Sequence, residues 1–238
     1  METDELIQRI GILSQSARPL PRVWKRTVLW LLLGVPYVAL VVLVMSPRAD
    51  LGLKFTEARF VIEQLAALLT GVTGAAAAFA STIPGFDRRY LMAPILPLGI
   101  WLGSLGQGCI DNWLKRGWES FTLQPDWFCL PAIVLVGAVP AIILAVMLRR
   151  GAPLTPHLTV ALGGLAAGGV GNFGLRLFHS QDASLMVLVW QMGTVLLVTA
   201  LAGIVGRHLL SWQATVAFAR AAVLGGKARS VPADFDGR

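Results

Sequence analysis

Residues 148–156, LRRGAPLTP, form a charged break between two long apolar segments. The run before the break ends at Leu148. Gly151 and Pro153 forbid helix continuation, and Pro156 suits the first position of a following helix. Two arginines in so short a loop also assign it a side, because Lys and Arg concentrate in the cytoplasmic loops of membrane proteins. Every other segment can be oriented from here, since each apolar crossing flips the side.

The composition agrees with a chain built of such crossings. Of 238 residues, 55% are hydrophobic and 14% charged, and the mean hydropathy is +0.68. Soluble domains carry roughly 25% charged residues, so this chain has too little polar surface for a soluble globule. The net charge of +7 does not indicate direct nucleic-acid binding, because the cations sit at the ends of apolar segments and form no basic domain. No cleavable leader is expected: the first apolar run follows 27 residues and exits through Ser46-Pro47-Arg48, a poor cleavage site.

Six apolar segments are predicted, at about 28–45, 60–80, 90–108, 129–148, 158–177 and 185–209. Each approaches the ~20 residues that cross ~30 Å of hydrocarbon. Backbone in lipid must satisfy its own hydrogen bonds, so these are helices, the first kinked at Pro36. The expected fold is an all-α integral membrane protein: a segment over 1–27, a six-helix transmembrane domain over 28–210 and a tail over 211–238. With the N-terminus inside, 14 of the 20 Lys and Arg lie in inside regions; Arg48, Lys54, Arg59, Lys115, Arg116 and Arg176 lie outside. This bias places both termini in the cytoplasm. Small residues predict close packing at Gly99 with Gly103, at Gly164 with Gly168, and along Gly71, Gly74, Ala75 and Ala78.

Ahead of the first span, Thr3 is a candidate N-cap, and Asp4 and Glu5 suit a first helical turn. Leu6, Ile7, Ile10 and Leu13 form an apolar stripe at helical spacing. A helix of about 10 residues is too short to persist alone in water, so it needs a partner protein, the bilayer or the bundle to pack on. Arg18-Pro19-Leu20-Pro21-Arg22 reads as a stiff spacer, followed by an interfacial Trp24-Lys25-Arg26.

Chemistry-bearing residues are sparse. Glu63 is the one acidic residue inside a predicted span; it reads as a snorkelling or locally paired carboxylate, with no second carboxylate evident opposite it. His157, His179 and His208 are scattered and predict no metal site. Neither a catalytic triad nor a phosphate loop is present, so no enzyme activity or cofactor is expected. Cys109 ends the third segment and Cys129 opens the fourth, which places both near the outer face. They can form a disulfide in an oxidising compartment or remain buried thiols.

Several stretches in this order resemble the NrsF family of six-helix membrane anti-sigma factors. They are Thr3-Asp4-Glu5-Leu6-Ile7, the run EQLAALLTGVTGAAAA from Glu63 to Ala78, Pro84-Gly85, Cys129, Arg149-Arg150-Gly151-Ala152-Pro153 with Pro156, Gly163 to Gly171, Trp190, and Gly206 to Trp212. The resemblance implies a protein that holds an extracytoplasmic-function (ECF) sigma factor at the bacterial inner membrane through its N-terminal segment. A periplasmic or membrane stress signal then releases the sigma factor. Asp4, Glu5, Leu6, Ile7, Ile10 and Leu13 would form the binding element. The resemblance also implies sensing by two periplasmic cysteines. The first corresponds to Cys129; at the second this chain has Ser180 after His179, which leaves Cys109 as the available partner. The competing readings are a small multi-span transporter or channel and a scaffolding membrane subunit.

Overall fold

The computed structural model describes residues 20–83, 85–117, 129–151 and 155–179, together with positions 193, 197 and 200. All regular structure among them is helical. Five long helices follow one another: α1 Val23–Val44, α2 Ala58–Ala80, α3 Ile95–Arg116, α4 Cys129–Leu148 and α5 Pro156–Phe178. A one-turn helix, Leu51–Lys54, precedes α2, and a 3-10 turn, Arg88–Met92, precedes α3. Three helices, α1, α2 and α5, are long and apolar enough to cross a membrane, as is the stretch Arg88–Lys115 that contains α3. In α4 the stretch Val134–Leu148 is apolar. The predicted sixth segment lies outside the described residues except at Gly193, Leu197 and Ala200. These three are helical and exposed, at a spacing that shares one face. The predicted N-terminal helix and the tail also lie outside the described residues.

The boundaries correct the sequence reading at two helices. α1 begins at Val23, five residues before the predicted apolar edge, because Arg26 is buried inside the fold. α3 begins at Ile95, after Pro94, and continues through the polar residues beyond Gly108 to Arg116. The break at 149–156 behaves as predicted: α4 stops at Leu148, and Pro156 opens α5 at its first position.

The helices alternate in direction. The start of α1, the end of α2, the end of α4 and the start of α5 meet at one end of the bundle: Arg26 reaches Phe79, Thr82 and Met147, and Ser81 Oγ lies 2.7 Å from Thr159 Oγ1. At the opposite end, the start of α2 meets the ends of α3 and α5.

The α2–α5 pair packs without room for side chains. A Cβ added at Gly169 would lie 2.7 Å from both the Ala67 carbonyl oxygen and the Gly71 nitrogen. One added at Gly74 would lie 3.2 Å from the Ala166 nitrogen. Such close approach brings many backbone atoms into dispersion contact. Around this pair the core gathers Trp30, Val38, Phe79, Leu144, Ala166 and Val170.

α1 docks on α4 partly through polar contacts to backbone. Trp30 Nε1 donates to the Pro140 carbonyl at 2.9 Å, and Tyr37 Oη donates to the Leu135 carbonyl at 2.7 Å. Pro140 packs 3.8 Å from the position of a Cβ on Gly34. The predicted small-residue pair Gly99–Gly103 is instead exposed, with nothing among the described residues within 4 Å of a Cβ at either position. On α5 the tightly packed glycine is Gly169, while Gly164 and Gly168 are half-buried.

This packing separates glycines that cannot change from glycines that can. Gly169→Ala should destabilise the protein by about 1–3 kcal/mol, the usual penalty for overpacking. Gly103→Ala should be neutral or stabilising by up to ~1 kcal/mol through helix propensity. Thermal unfolding of both variants in the same detergent checks the contrast.

Candidate functional site

Two polar junctions close the two ends of the bundle, and they are built on opposite principles. At one end the centre is Glu63, on the second turn of α2, 5% exposed. Its Oε2 accepts from Arg176 Nη2 of α5 at 2.8 Å, and its Oε1 accepts from Arg59 Nε at 3.0 Å. Arg59 lies four residues earlier on α2, where helix geometry brings i and i+4 together. It also faces Asp111 of α3 at 3.8 Å. Two guanidinium groups and two carboxylates thus join three helices. Glu63 is locally paired, as the sequence suggested, but it also bridges to α5, and Asp111 is a second carboxylate that the sequence reading missed. Gln64 Nε2 donates to the Phe173 carbonyl at 3.5 Å, and the Arg176 guanidinium lies over the Phe60 ring. Asn172, one turn before Arg176, is buried, and its Oδ1 has no donor among the described residues.

The last turn of α5 is held by a third arginine at this end. The Arg48 N–H donates to the Leu177 carbonyl at 3.1 Å, and Nη1 donates to the His179 carbonyl at 3.4 Å. Its side chain also grips both carboxylate oxygens of Asp50, at 2.6 and 2.8 Å. A cation at a helix C-terminus satisfies carbonyls that lack an intrahelical partner and meets the negative end of the dipole.

At the opposite end the centre is Arg26, 4% exposed and without a carboxylate among its partners. Nη1 donates to Thr82 Oγ1 at 3.0 Å and to the Phe79 carbonyl at 3.5 Å, and Nη2 donates to the Met147 carbonyl at 2.9 Å. The Phe79 ring lies 4.4 Å from the guanidinium carbon. Arg26 therefore sits where α2 and α4 both end. Two helix dipoles and an aromatic face stabilise its charge in place of an anion.

The residues predicted to bind or sense are distributed as follows. Cys109 is on α3, half-buried and carrying a free thiol, two residues before Asp111. Cys129 is the first residue of α4, at the Glu63 end. Ser180 lies outside the described residues, as do Asp4, Glu5, Leu6, Ile7, Ile10 and Leu13. Among the described residues no group of three or more His, Cys, Asp or Glu can hold a metal ion. Each junction ties three helices through its own side-chain partners, an arrangement for holding helices together.

The family model described as negative regulator of sigma F, NrsF, matches residues 13–212. This chain belongs to the NrsF family. No curated protein and no solved structure matches it. The NrsF match spans all five described helices, both junctions, Cys109, Cys129 and the Arg149-Arg150 break. It starts at Leu13, so Asp4, Glu5, Leu6, Ile7 and Ile10 precede it. Membership of NrsF makes this chain a negative regulator of a sigma factor.

The buried pair generates a test by thermodynamic cycle. Removing one partner of a buried ion pair costs about 3–5 kcal/mol, whereas replacing both with apolar groups often costs little. Glu63→Leu and Arg176→Met should each lower the unfolding temperature strongly. The double variant should lie well above the sum of the two losses. Additive losses would mean that the bridge does not hold α2 to α5.

Proposed function

We propose that this protein is a membrane-bound anti-sigma factor that sequesters an ECF-type sigma factor at the inner membrane and releases it on a periplasmic or membrane stress signal. The observation that carries the reading is the NrsF match across 13–212, joined to a bundle in which four described helical stretches are long and apolar enough to cross a bilayer. The protein acts by binding, without catalysis or cofactor. The N-terminal segment is the sigma-binding element: Leu6, Ile10 and Leu13 supply helix-in-groove anchors with Ile7 on the flank. Asp4 and Glu5 meet a basic surface of the kind that DNA-binding proteins carry. Sensing falls to the end where α3 stops and α4 begins, with Cys129 and Cys109 as candidate sensors and Ser180 in place of a second family cysteine.

Both termini are cytoplasmic in this proposal, and the Arg26 end of the bundle faces inward. A reporter fused after Arg150 should then read cytoplasmic, and one fused near Lys115 periplasmic. The reverse pair of signals would overturn the orientation and the N-terminal binding element with it.

Truncating buried interface anchors can cost ~2 kcal/mol or more each at a hot spot. Leu6→Ala with Ile10→Ala should therefore release the sigma factor while the protein stays in the membrane. Asp4→Lys with Glu5→Lys should also weaken sigma binding, yet strengthen attachment to an anionic bilayer. Sigma-dependent reporter output, read beside membrane protein level, checks both. Full repression by both variants at normal level would remove this segment as the binding element.

A further inference from the structure

The two ends of the bundle handle their charges differently. At the Glu63 end, Arg48, Lys54, Arg59 and Arg176 each lie within salt-bridge distance of a carboxylate, while Lys115 at the end of α3 is exposed. At the Arg26 end, Arg22, Lys25, Arg88, Arg89, Arg149 and Arg150 are all exposed. The one carboxylate among the described residues there is Asp87, and it accepts from the Arg89 backbone N–H at 3.0 Å. None of the six cations has a salt bridge among the described residues.

The segments that carry these cations converge near Arg26. Arg26 touches Thr82 and Met147, and Gly151 packs on Thr82. Arg22 and Lys25 lie within one turn of Arg26, Arg149 and Arg150 directly precede Gly151, and Arg88 and Arg89 follow Thr82 in the next turn. So concentrated a positive face attracts an anion held close to it.

We propose that this face docks the chain's own acidic tip, Glu2-Thr3-Asp4-Glu5, when no sigma factor is bound. The first eight residues of the sequence hold three carboxylates and no Lys or Arg. They are tethered through the Pro19–Pro21 spacer to Arg22, beside the centre of the face. A helix of about 10 residues is ~15 Å long, so the tip can fold back over the end of the bundle, and a short tether supplies an effective concentration near millimolar. The C-terminal tail fits less well: its last 12 residues set Asp234 and Asp236 against Lys227, Arg229 and Arg238. A sigma factor's DNA-binding surface is itself basic and would be repelled. The docking stands on charge and tether alone. Its consequence, that the sigma factor must compete with the basic face for the same tip, rests on the proposed function.

The test uses the full chain with Cys109→Ser and Cys129→Ser, spin-labelled at Thr3→Cys and Thr155→Cys, in zwitterionic nanodiscs without sigma factor. Thr155 is exposed and uncharged, and it is the N-cap residue just before α5 at the Arg26 end. Electron–electron double resonance should show a narrow short-distance population. Arg149→Gln with Arg150→Gln should broaden and lengthen it, and so should salt near 1 M, where the Debye length falls to about 3 Å. A broad distribution unaffected by either change would overturn the proposal. The short population should persist when phosphatidylglycerol is added; its loss would assign the face to anionic headgroups and overturn the proposal too. Sigma-factor affinity measured on the same variants separates the two readings. With docking removed, binding should tighten several-fold. A short population with unchanged sigma affinity would uphold the docking and refute the N-terminal segment as the sigma-binding element.

Discussion

The fold depends on α2 and α5 touching backbone to backbone. At Gly169 the distance to Ala67 and Gly71 leaves no space for even a methyl group. Once the two helices lie so close, their ends are fixed relative to each other. Glu63 and Arg176 come within hydrogen-bonding distance at one end, and Ser81 and Thr159 at the other. Arg59 then draws in α3 through Asp111, and the end of α2 offers Phe79 and Thr82 to Arg26 of α1. A chain rich in small residues and poor in polar ones thus gains its order from a few short contacts of high consequence.

The legible parts of the sequence were those written in local backbone chemistry. Gly151 and Pro156 set the end of α4 and the start of α5 because glycine and proline act where they stand. The start of α1 was hidden because Arg26 carries the charge of a boundary residue and the burial of a core residue. α3 outran its apolar stretch because a helix ladder continues through polar side chains as readily as apolar ones. The small-xxx-small pattern at Gly99 and Gly103 marks a face on which backbones can approach, but not which way the face turns.

The junctions were less legible than the helices. Arg176 stands 113 residues from Glu63, and in sequence it reads only as a cation near the end of a span. Asp111 falls beyond the apolar run that ends at Gly108, where hydropathy sets no helix boundary. Arg26 joins carbonyl groups, which every residue has, so no pattern of residue types announces its partners. The resemblance to NrsF was readable because it is spread over the order and spacing of many residues.

Arg26 has a mechanical consequence. It lies on the first turn of α1, four residues after Arg22, and it is stitched to the ends of α2 and α4. Fraying that turn would strip the Phe79 and Met147 carbonyls of a charged donor and pull a buried guanidinium from its partners, so the turn resists unwinding by itself. The arm before it therefore leaves the bundle from a fixed hinge point. A load along the arm is shared among three helices instead of falling on α1 alone.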